Sequence, residues 1–295
     1  MPLRSFLLLA MICAVWALNV VVSRLVVDTL AVPPLAYAAM RAGVVLLVLL
    51  AWLRPIPQGL PKVLAVTFAV SGGSFALLFA GLTVASPSSS AVISLSGAPL
   101  TVLFAILILG EKVRWRRALG IALTFAGVLV AIADPAGWSA GGGLLLVFAS
   151  AVIGALGSVF IKQLPLEPLR LQAWAAFGST LVLVPLSAGL ESGQAGAALA
   201  AGWWLVAAVG FSGLVVSLGA HTLYFRLLQQ HDANLIAPLT LMTPVFTIAA
   251  GAAITGDEVS ATLLIGAGIA ASGVLVIIVR PSVGLFKPLL VRPRL

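Results

Sequence analysis

Long apolar runs alternate with short charged or Pro/Gly-rich breaks along the whole chain. A run of about 20 apolar residues is long enough for a helix to cross the hydrocarbon core of a bilayer. The uncharged stretch 63–110 is too long for one crossing, and its Ser/Pro-rich segment 85–90 predicts a turn. The pattern therefore predicts ten transmembrane helices, at residues 5–25, 34–53, 62–84, 89–109, 115–133, 142–162, 168–189, 203–226, 234–254 and 259–279.

The charged positions predict the orientation of these helices. All but two of the 16 basic residues fall in segments that the ten-helix pattern places on one side of the membrane. Lys and Arg in short loops are typical of the cytoplasmic side. We therefore expect both termini in the cytoplasm, with a basic cytoplasmic tail at 282–295. Five acidic residues are expected on the external side: Asp28, Asp134, Glu191, Asp257 and Glu258.

The composition excludes several classes of protein. The chain is 62% hydrophobic and 8% charged, whereas soluble domains are about 25% charged. The net charge of +8 is spread between apolar spans, so it does not indicate nucleic-acid binding. One Cys and two His exclude a Cys/His metal cluster, and no Walker motif for ATP is present. We therefore expect no cofactor, and the expected partners are the lipid bilayer and a small-molecule substrate.

An enzyme-like motif, Gly-x-Ser-Gly at 210–213, is similar to the nucleophile region of intramembrane proteases. Such a serine needs a base within hydrogen-bond reach. His221 comes nine residues after Ser212 in the same predicted helix, which places it on the opposite side of that helix. We therefore expect no enzymatic activity.

The two halves of the chain resemble each other. Pro99 in the fourth predicted helix corresponds to Pro244 in the ninth, and a Gly followed by an acidic residue comes next in each half, at Glu111 and Asp257. Because each half has five helices, an odd number, the second half crosses the membrane in the opposite direction. We predict an all-α polytopic membrane protein with two inverted five-helix repeats, 1–137 and 138–281, around a central cavity. Proline-interrupted helices at corresponding positions of inverted repeats are typical of secondary transporters.

These motifs resemble the drug/metabolite transporter superfamily, EamA type. The resemblance extends over about residues 10–280 and depends on the order of three motifs: Trp16-x-x-Asn19, Pro99 with Gly110-Glu111-Lys112, and Pro244 with Gly256-Asp257-Glu258. Within the superfamily the chain is most similar to the YddG-type aromatic amino-acid exporters of bacterial inner membranes. The resemblance implies a ten-helix bundle with a central cavity that exports amino acids and related metabolites.

Polar and aromatic residues at helical spacing predict the walls of this cavity. Arg41 is a mid-helix charge on the same face as Tyr37, and an amino-acid carboxylate is its natural partner. Alternatively, Arg41 extends to the membrane interface or pairs with Asp28. Similar spacings also occur in ordinary helix packing. The predicted substrate-binding residues are Trp16, Asn19, Tyr37, Arg41, Phe75, Phe79, Ser94, Trp174, His221, Tyr224 and Thr243.

The predicted mechanism is alternating access, with Pro99 and Pro244 as hinges. His221 and Glu111 are candidates for proton coupling, although no Asp or Glu lies in the middle of a predicted helix. The predicted substrates are aromatic and other neutral amino acids, exported across the bacterial inner membrane. The alternatives are a multidrug or metabolite carrier of the same superfamily with another substrate, and a channel or scaffold.

Overall fold

The computed structural model describes residues 3–109, 115–132, 141–161, 164–230, 240 and 242–278. These residues are predominantly helical. Their helical segments are α1 (Leu3–Thr29), α2 (Pro34–Leu53), α3 (Leu60–Gly81), α4 (Pro87–Leu109), α5 (Trp115–Ile132), α6 (Gly141–Ile161), α7 (Pro168–Leu190), α8 (Gln194–Gln230), α9 (Met242–Thr255) and α10 (Ala261–Ile278). The bounds of most segments agree with the predicted spans to within a few residues. Helix α8 begins earlier than predicted, but Gly202 has a φ of +52° and breaks it where the predicted span starts.

The helices have the apolar character of membrane spans. Within the described ranges, seven are long and apolar enough to cross a bilayer, namely α1 to α4 and α6 to α8. The other three, α5, α9 and α10, contain shorter apolar stretches at Ala118–Ala131, Met242–Thr255 and Ala261–Val276. The prediction of an all-helical polytopic membrane protein is confirmed, whereas the number of ten crossings stays a prediction.

Helices α5 and α10 pack backbone against backbone through glycines. A β-carbon placed on Gly127 would lie 2.6 Å from the carbonyl oxygen of Gly266, and one placed on Gly273 would lie 2.7 Å from that of Gly120. Gly120 of α5 thus meets Gly273 of α10, and Gly127 meets Gly266. Residue numbers rise along one helix as they fall along the other, so the two helices are antiparallel. Since Gly120 and Gly127 correspond to Gly266 and Gly273 in the repeat, the seam is symmetric. This geometry places the two repeats in inverted orientation.

Helices α2 and α7 form a second antiparallel pair between corresponding elements. At one end, the carboxylate of Glu191 accepts hydrogen bonds from the N–H groups of Leu35 at 2.8 Å and Ala36 at 2.9 Å. At the other end, the Arg170 guanidinium donates to the carbonyl oxygen of Pro55. Both helix pairs, α5 with α10 and α2 with α7, therefore combine one helix from each half of the chain.

We call the end at which α1 begins the Leu3 end, and the end at which α1 stops the Thr29 end. Near the Thr29 end, apolar side chains of α1, α2, α3, α7, α8 and the segments that adjoin them form a buried cluster, which we call the Thr29-end cluster. Its members include Val26, Val27, Val32, Tyr37, Ala76, Phe79, Leu82, Leu183 and Leu205.

The two repeat prolines occupy equivalent places in α4 and α9. Helix α4 is broken into Pro87–Ser94 and Gly97–Leu109, and Pro99 is the third residue of the second part. A proline ring clashes with the carbonyl four residues earlier, here that of Leu95, which lies in the break. Pro244 is the third described residue of α9. The break fits a weak point in α4, and the hinge role of both prolines stays a prediction.

Candidate functional site

A cavity of about 230 Å³ lies between α2, α3, α7 and α8. Its wall includes Arg41 and His221 inside the bundle, and also Ile161 and Pro168, the last residue of α6 and the first of α7. These two helix ends lie at the Leu3 end, so the cavity extends to that end. Toward the other end, the Thr29-end cluster is packed between the same helices.

Widened helical turns shape two walls of the cavity. Helices α3 and α8 contain π-helical segments at Ala69–Gly73 and Phe211–Ala220, and such bulges are frequent at functional sites. The first segment contributes Ser71 to the wall and the second contributes Ser217. The hydroxyl of Ser217 donates to the carbonyl oxygen of Ser212 at 2.9 Å, one turn earlier in the wide helix.

Arg41 is the central charged group of the cavity wall, and only 4% of its surface is exposed. Its Nε and Nη2 donate to the hydroxyl oxygen of Ser217 at 3.0 and 2.7 Å. Its guanidinium carbon lies 3.7 Å from the centre of the Phe75 ring, within the range of a cation–π contact. The remaining nitrogen, Nη1, is buried and has no hydrogen-bond partner.

The two alternatives considered for Arg41 are wrong. Asp28 forms a salt bridge with Arg24, Oδ2 to Nη2 at 3.0 Å, rather than with Arg41. The side chain of Arg41 is buried and bonds to Ser217, so it does not extend to the membrane interface. The charge therefore remains within the bundle, beside the cavity.

No carboxylate lies on the part of the cavity wall that the structure describes. Glu191 bonds to the start of α2, and Asp257 bonds to the start of α4. Glu167 and Glu258 are exposed. In the described ranges, no group of three or more His, Cys, Asp or Glu side chains is placed to hold a metal ion. The charge that the described wall offers to a ligand is thus positive.

Three of the predicted substrate-binding residues line the cavity: Arg41, Phe75 and His221. The Nδ1 of His221 lies 2.8 Å from the carbonyl oxygen of Val216. Because a carbonyl only accepts, Nδ1 donates in this bond, and Nε2 is the nitrogen that can gain or release a proton.

Tyr37 and Phe79 lie next to the cavity rather than on its wall. Both are fully buried in the Thr29-end cluster, with ring centres 4.9 Å apart. The Tyr37 hydroxyl is 2.6 Å from the hydroxyl oxygen of Ser212. In this structure the two aromatic residues form part of the layer that closes the Thr29 end.

Trp16 and Tyr224 lie behind His221. The ring of Trp16 is 5.2 Å from that of His221 and 5.1 Å from that of Tyr224, centre to centre. Asn19, one turn further along α1, is 4% exposed, and its Oδ1 has no hydrogen-bond partner. His221 thus connects the cavity wall with an aromatic group on α1 and α8.

The remaining predicted residues lie away from the described wall. Trp174 is buried on α7 against Phe177, with ring centres 5.6 Å apart. Thr243 lies against Cys13 of α1. Ser94 is exposed, and its hydroxyl donates to the Ser90 carbonyl of its own helix at 2.8 Å. The coupling candidate Glu111 lies outside the described residues.

Sequence reasoning missed three polar residues of the wall: Thr67, Gln172 and Ser179. Gln172 donates from Nε2 to the carbonyl oxygen of Ser217. Ser179 is fully buried, and its hydroxyl has no hydrogen-bond partner. The spacing 172, 175, 176, 179 on α7, with polar residues at both ends of an alanine pair, was a signal that could have indicated this face.

Two carboxylates of the second half bind helix N-termini of the first half at the Thr29 end. Glu191 does so at α2, as described above. Asp257 accepts hydrogen bonds through Oδ2 from the N–H of Ser88 at 2.8 Å and from its hydroxyl at 2.5 Å, and through Oδ1 from the Thr255 hydroxyl at 2.7 Å. The first N–H groups of a helix lack internal partners and attract negative charge. These contacts join the two halves at the end where the cavity is closed.

Known proteins with similar sequences include transporters. The sequence profile of the EamA-like transporter family matches residues 4–133 and 141–279. A probable amino-acid metabolite efflux pump of Salmonella typhimurium is 25% identical over 283 residues, covering 92% of this chain and 94% of the relative. The Escherichia coli protein of the same name is 24% identical over 288 residues, with the same coverage. An uncharacterized transporter of Archaeoglobus fulgidus is 25% identical over 284 residues, covering 94% of this chain and 99% of that protein.

A solved protein crystal structure has the same fold. It superposes with a TM-score of 0.61 at 19% sequence identity, covering 93% of this chain and 97% of the other. At 19% identity, this similarity shows the arrangement of the helices alone.

Proposed function

Because the chain belongs to the EamA-like transporter family, we propose that this drug/metabolite-type exporter carries amino acids and related small carboxylates across the bacterial inner membrane. Relatives named as probable amino-acid metabolite efflux pumps support this substrate class. The observation that carries it is Arg41, a buried cation on the cavity wall with a free Nη1. A substrate carboxylate would accept a charge-assisted hydrogen bond from that nitrogen.

The size of the cavity supports a small metabolite. Its volume of about 230 Å³ is below the roughly 300–1,000 Å³ that is usual for drug-sized ligands. This difference favours amino acids over the multidrug alternative.

The wall is largely aliphatic and suits an apolar side chain, with residues such as Ala38, Ala42, Val45, Val70 and Leu171. One face of Phe75 is covered by the Arg41 guanidinium. Aromatic amino acids belong to the proposal on the strength of the family resemblance, beside aliphatic ones.

The proposed mechanism is alternating access between two states. In the described state the cavity extends to the Leu3 end, which the charge pattern predicts to be cytoplasmic. Inverted repeats provide a second arrangement, in which the halves exchange roles and the other end opens. Opening the Thr29 end would separate the Thr29-end cluster and break the contacts of Glu191 and Asp257. Pro99 and Pro244 would let α4 and α9 bend during this change.

The proposal is tested by counterflow in proteoliposomes. Vesicles preloaded with unlabelled leucine or phenylalanine should take up the labelled amino acid in a saturable manner. Arg41→Gln should lower this uptake at least tenfold, as expected for loss of a hydrogen bond to a charged group worth about 1.5–3 kcal/mol. Arg4→Gln, which changes an exposed cation outside the cavity wall, is the control. Absence of counterflow with the wild-type protein would contradict the amino-acid assignment.

A pH gradient across the same vesicles tests coupling. His221 lines the cavity and has one nitrogen available for a proton. We expect the gradient to change the uptake rate in the wild-type protein but not in His221→Gln. An equal response of both proteins would remove His221 as the coupling residue.

A further inference from the structure

We infer that the cavity prefers net-anionic carboxylates that lack an ammonium group, such as 2-hydroxy, 2-oxo and N-acylated relatives of amino acids, over the zwitterionic amino acids themselves. The inference rests on the proposed function, because it specifies the substrate class of the same cavity. Two buried groups of the cavity lining carry it: the Arg41 guanidinium on α2 and the Ser179 hydroxyl on α7.

Each group has a hydrogen-bond donor without an acceptor, and a ligand can supply that acceptor. Arg41 is 4% exposed and Ser179 is fully buried, and both line the cavity. The Nη1 of Arg41 and the hydroxyl of Ser179 make no hydrogen bond. Buried polar groups are almost always paired, since an unpaired one is costly. Both can donate to a carboxylate, so the wall is prepared for negative charge.

The charge of Arg41 is only partly compensated within the protein. Its partners are the neutral hydroxyl of Ser217 and the face of Phe75. The carboxylates of the described residues lie elsewhere, and the cavity wall in these ranges has none. A buried cation is stabilised when a counter-ion is brought to it. A ligand with a net charge of −1 supplies that counter-ion, whereas a zwitterion brings a second cation with it.

The described wall offers little to an ammonium group. The described wall has no carboxylate to pair with it, and its neutral oxygens, such as the hydroxyl of Thr67, can accept hydrogen bonds but supply no negative charge. The α-ammonium of an amino acid is attached next to its carboxylate. It would therefore be held near the Arg41 guanidinium, where like charges repel. A hydroxyl or carbonyl group at the same carbon avoids this repulsion.

Three ligands with the same carbon skeleton separate the contributions of the two charges. Leucine carries both charges, 2-hydroxy-4-methylpentanoate carries only the carboxylate, and leucinamide carries only the ammonium. Binding should be measured by titration calorimetry on the purified protein in lipid nanodiscs, which avoids leakage of the protonated acid through vesicles. We expect the hydroxy acid to bind about tenfold more tightly than leucine, a difference of about 1.4 kcal/mol, and leucinamide not to bind. Phenylalanine, 3-phenyllactate and phenylalaninamide repeat the test with an aromatic side chain.

Variants of Arg41 attribute the preference to its charge. Arg41→Lys should keep the preference for the hydroxy acid, and Arg41→Gln should reduce it to less than about twofold. Arg4→Gln should leave it unchanged. A thermal unfolding midpoint close to that of the wild type shows that each variant is folded. If Arg41→Gln does not fold, the comparison of the three ligands on the wild-type protein and on Arg41→Lys still tests the inference.

The outcomes distinguish this inference from the proposed function. Leucine counterflow together with leucine binding as tight as that of the hydroxy acid overturns the inference and leaves amino-acid export in place. Binding of leucinamide also overturns the inference. Tight binding of the hydroxy acid without leucine counterflow supports the anion preference and removes amino acids as the cargo. Absence of binding by both acids, with no counterflow, overturns both.

Discussion

Asp257→Asn should shift the protein toward the state that is open at the Thr29 end. Asp257 is bonded to the N–H and the hydroxyl of Ser88 at the start of α4. Asparagine keeps the shape of the side chain but removes its charge. Hydrogen bonds to charged groups contribute about 1.5–3 kcal/mol and neutral ones about 0.5–1.5 kcal/mol. If the state that is closed at the Thr29 end loses about 1.4 kcal/mol of stability, the ratio of the two states changes about tenfold.

Cysteine accessibility measures this shift directly. Cys13, the single native cysteine, is first replaced by alanine. Ala76, a buried member of the Thr29-end cluster, is then changed to cysteine. A membrane-impermeant maleimide added on the Thr29 side should label this position about tenfold faster in Asp257→Asn, in proportion to the open population.

The matched control for the charge change is Asp28→Asn. Asp28 is an acid at the same end, but its salt-bridge partner Arg24 belongs to the same helix, so its loss separates no contact between the halves. Its labelling rate should equal that of the unchanged background. Equal labelling of Asp257→Asn and the background would refute the idea that this carboxylate holds the Thr29 end closed.

The repeat prolines and the glycine seam yield two further predictions. Pro99→Ala or Pro244→Ala should lower the turnover rate in counterflow more than the apparent affinity, whereas Pro185→Ala inside α7 should change neither; normal turnover in both repeat variants would exclude a hinge role. Gly127→Leu should destabilise the protein by at least about 1–3 kcal/mol because the seam has no room for a side chain. Its control in thermal unfolding is Gly268→Leu, on an open part of α10. Equal unfolding midpoints of the two variants would show that α5 and α10 can move apart without loss of stability.

Much of the fold could be predicted from the sequence because the bilayer restricts it. A crossing helix has a minimum length, and the charges between spans set its direction. The break at Gly202 illustrates the remaining difference. Apolar composition continues through 194–201, so hydropathy alone could not decide whether this segment belongs to α8.

Within the candidate site, the sequence predicts those residues whose burial in a membrane costs much free energy. Arg41 could be identified because a buried charge needs a reason, and it is the charged group of the described wall. Helical spacing indicates which side chains share a face, but it does not indicate which helix covers that face. Tyr37 and Arg41 share a face of α2, yet Tyr37 is buried in the Thr29-end cluster. Gln172 and Ser179 gave a weaker signal because an uncharged side chain is less costly within a membrane than a charged one.

The glycine seam between α5 and α10 has a consequence for how such a chain can arise. Gly120 meets Gly273, and Gly127 meets Gly266, so the surface that one repeat presents is the surface that the other accepts. An interface of this kind is self-complementary. A chain of half this length with the same glycine face would already possess both sides of the contact, provided that some copies are inserted upside down. Duplication and fusion of such a gene would then fix two opposite insertions in one polypeptide and remove the need for two separate molecules to meet.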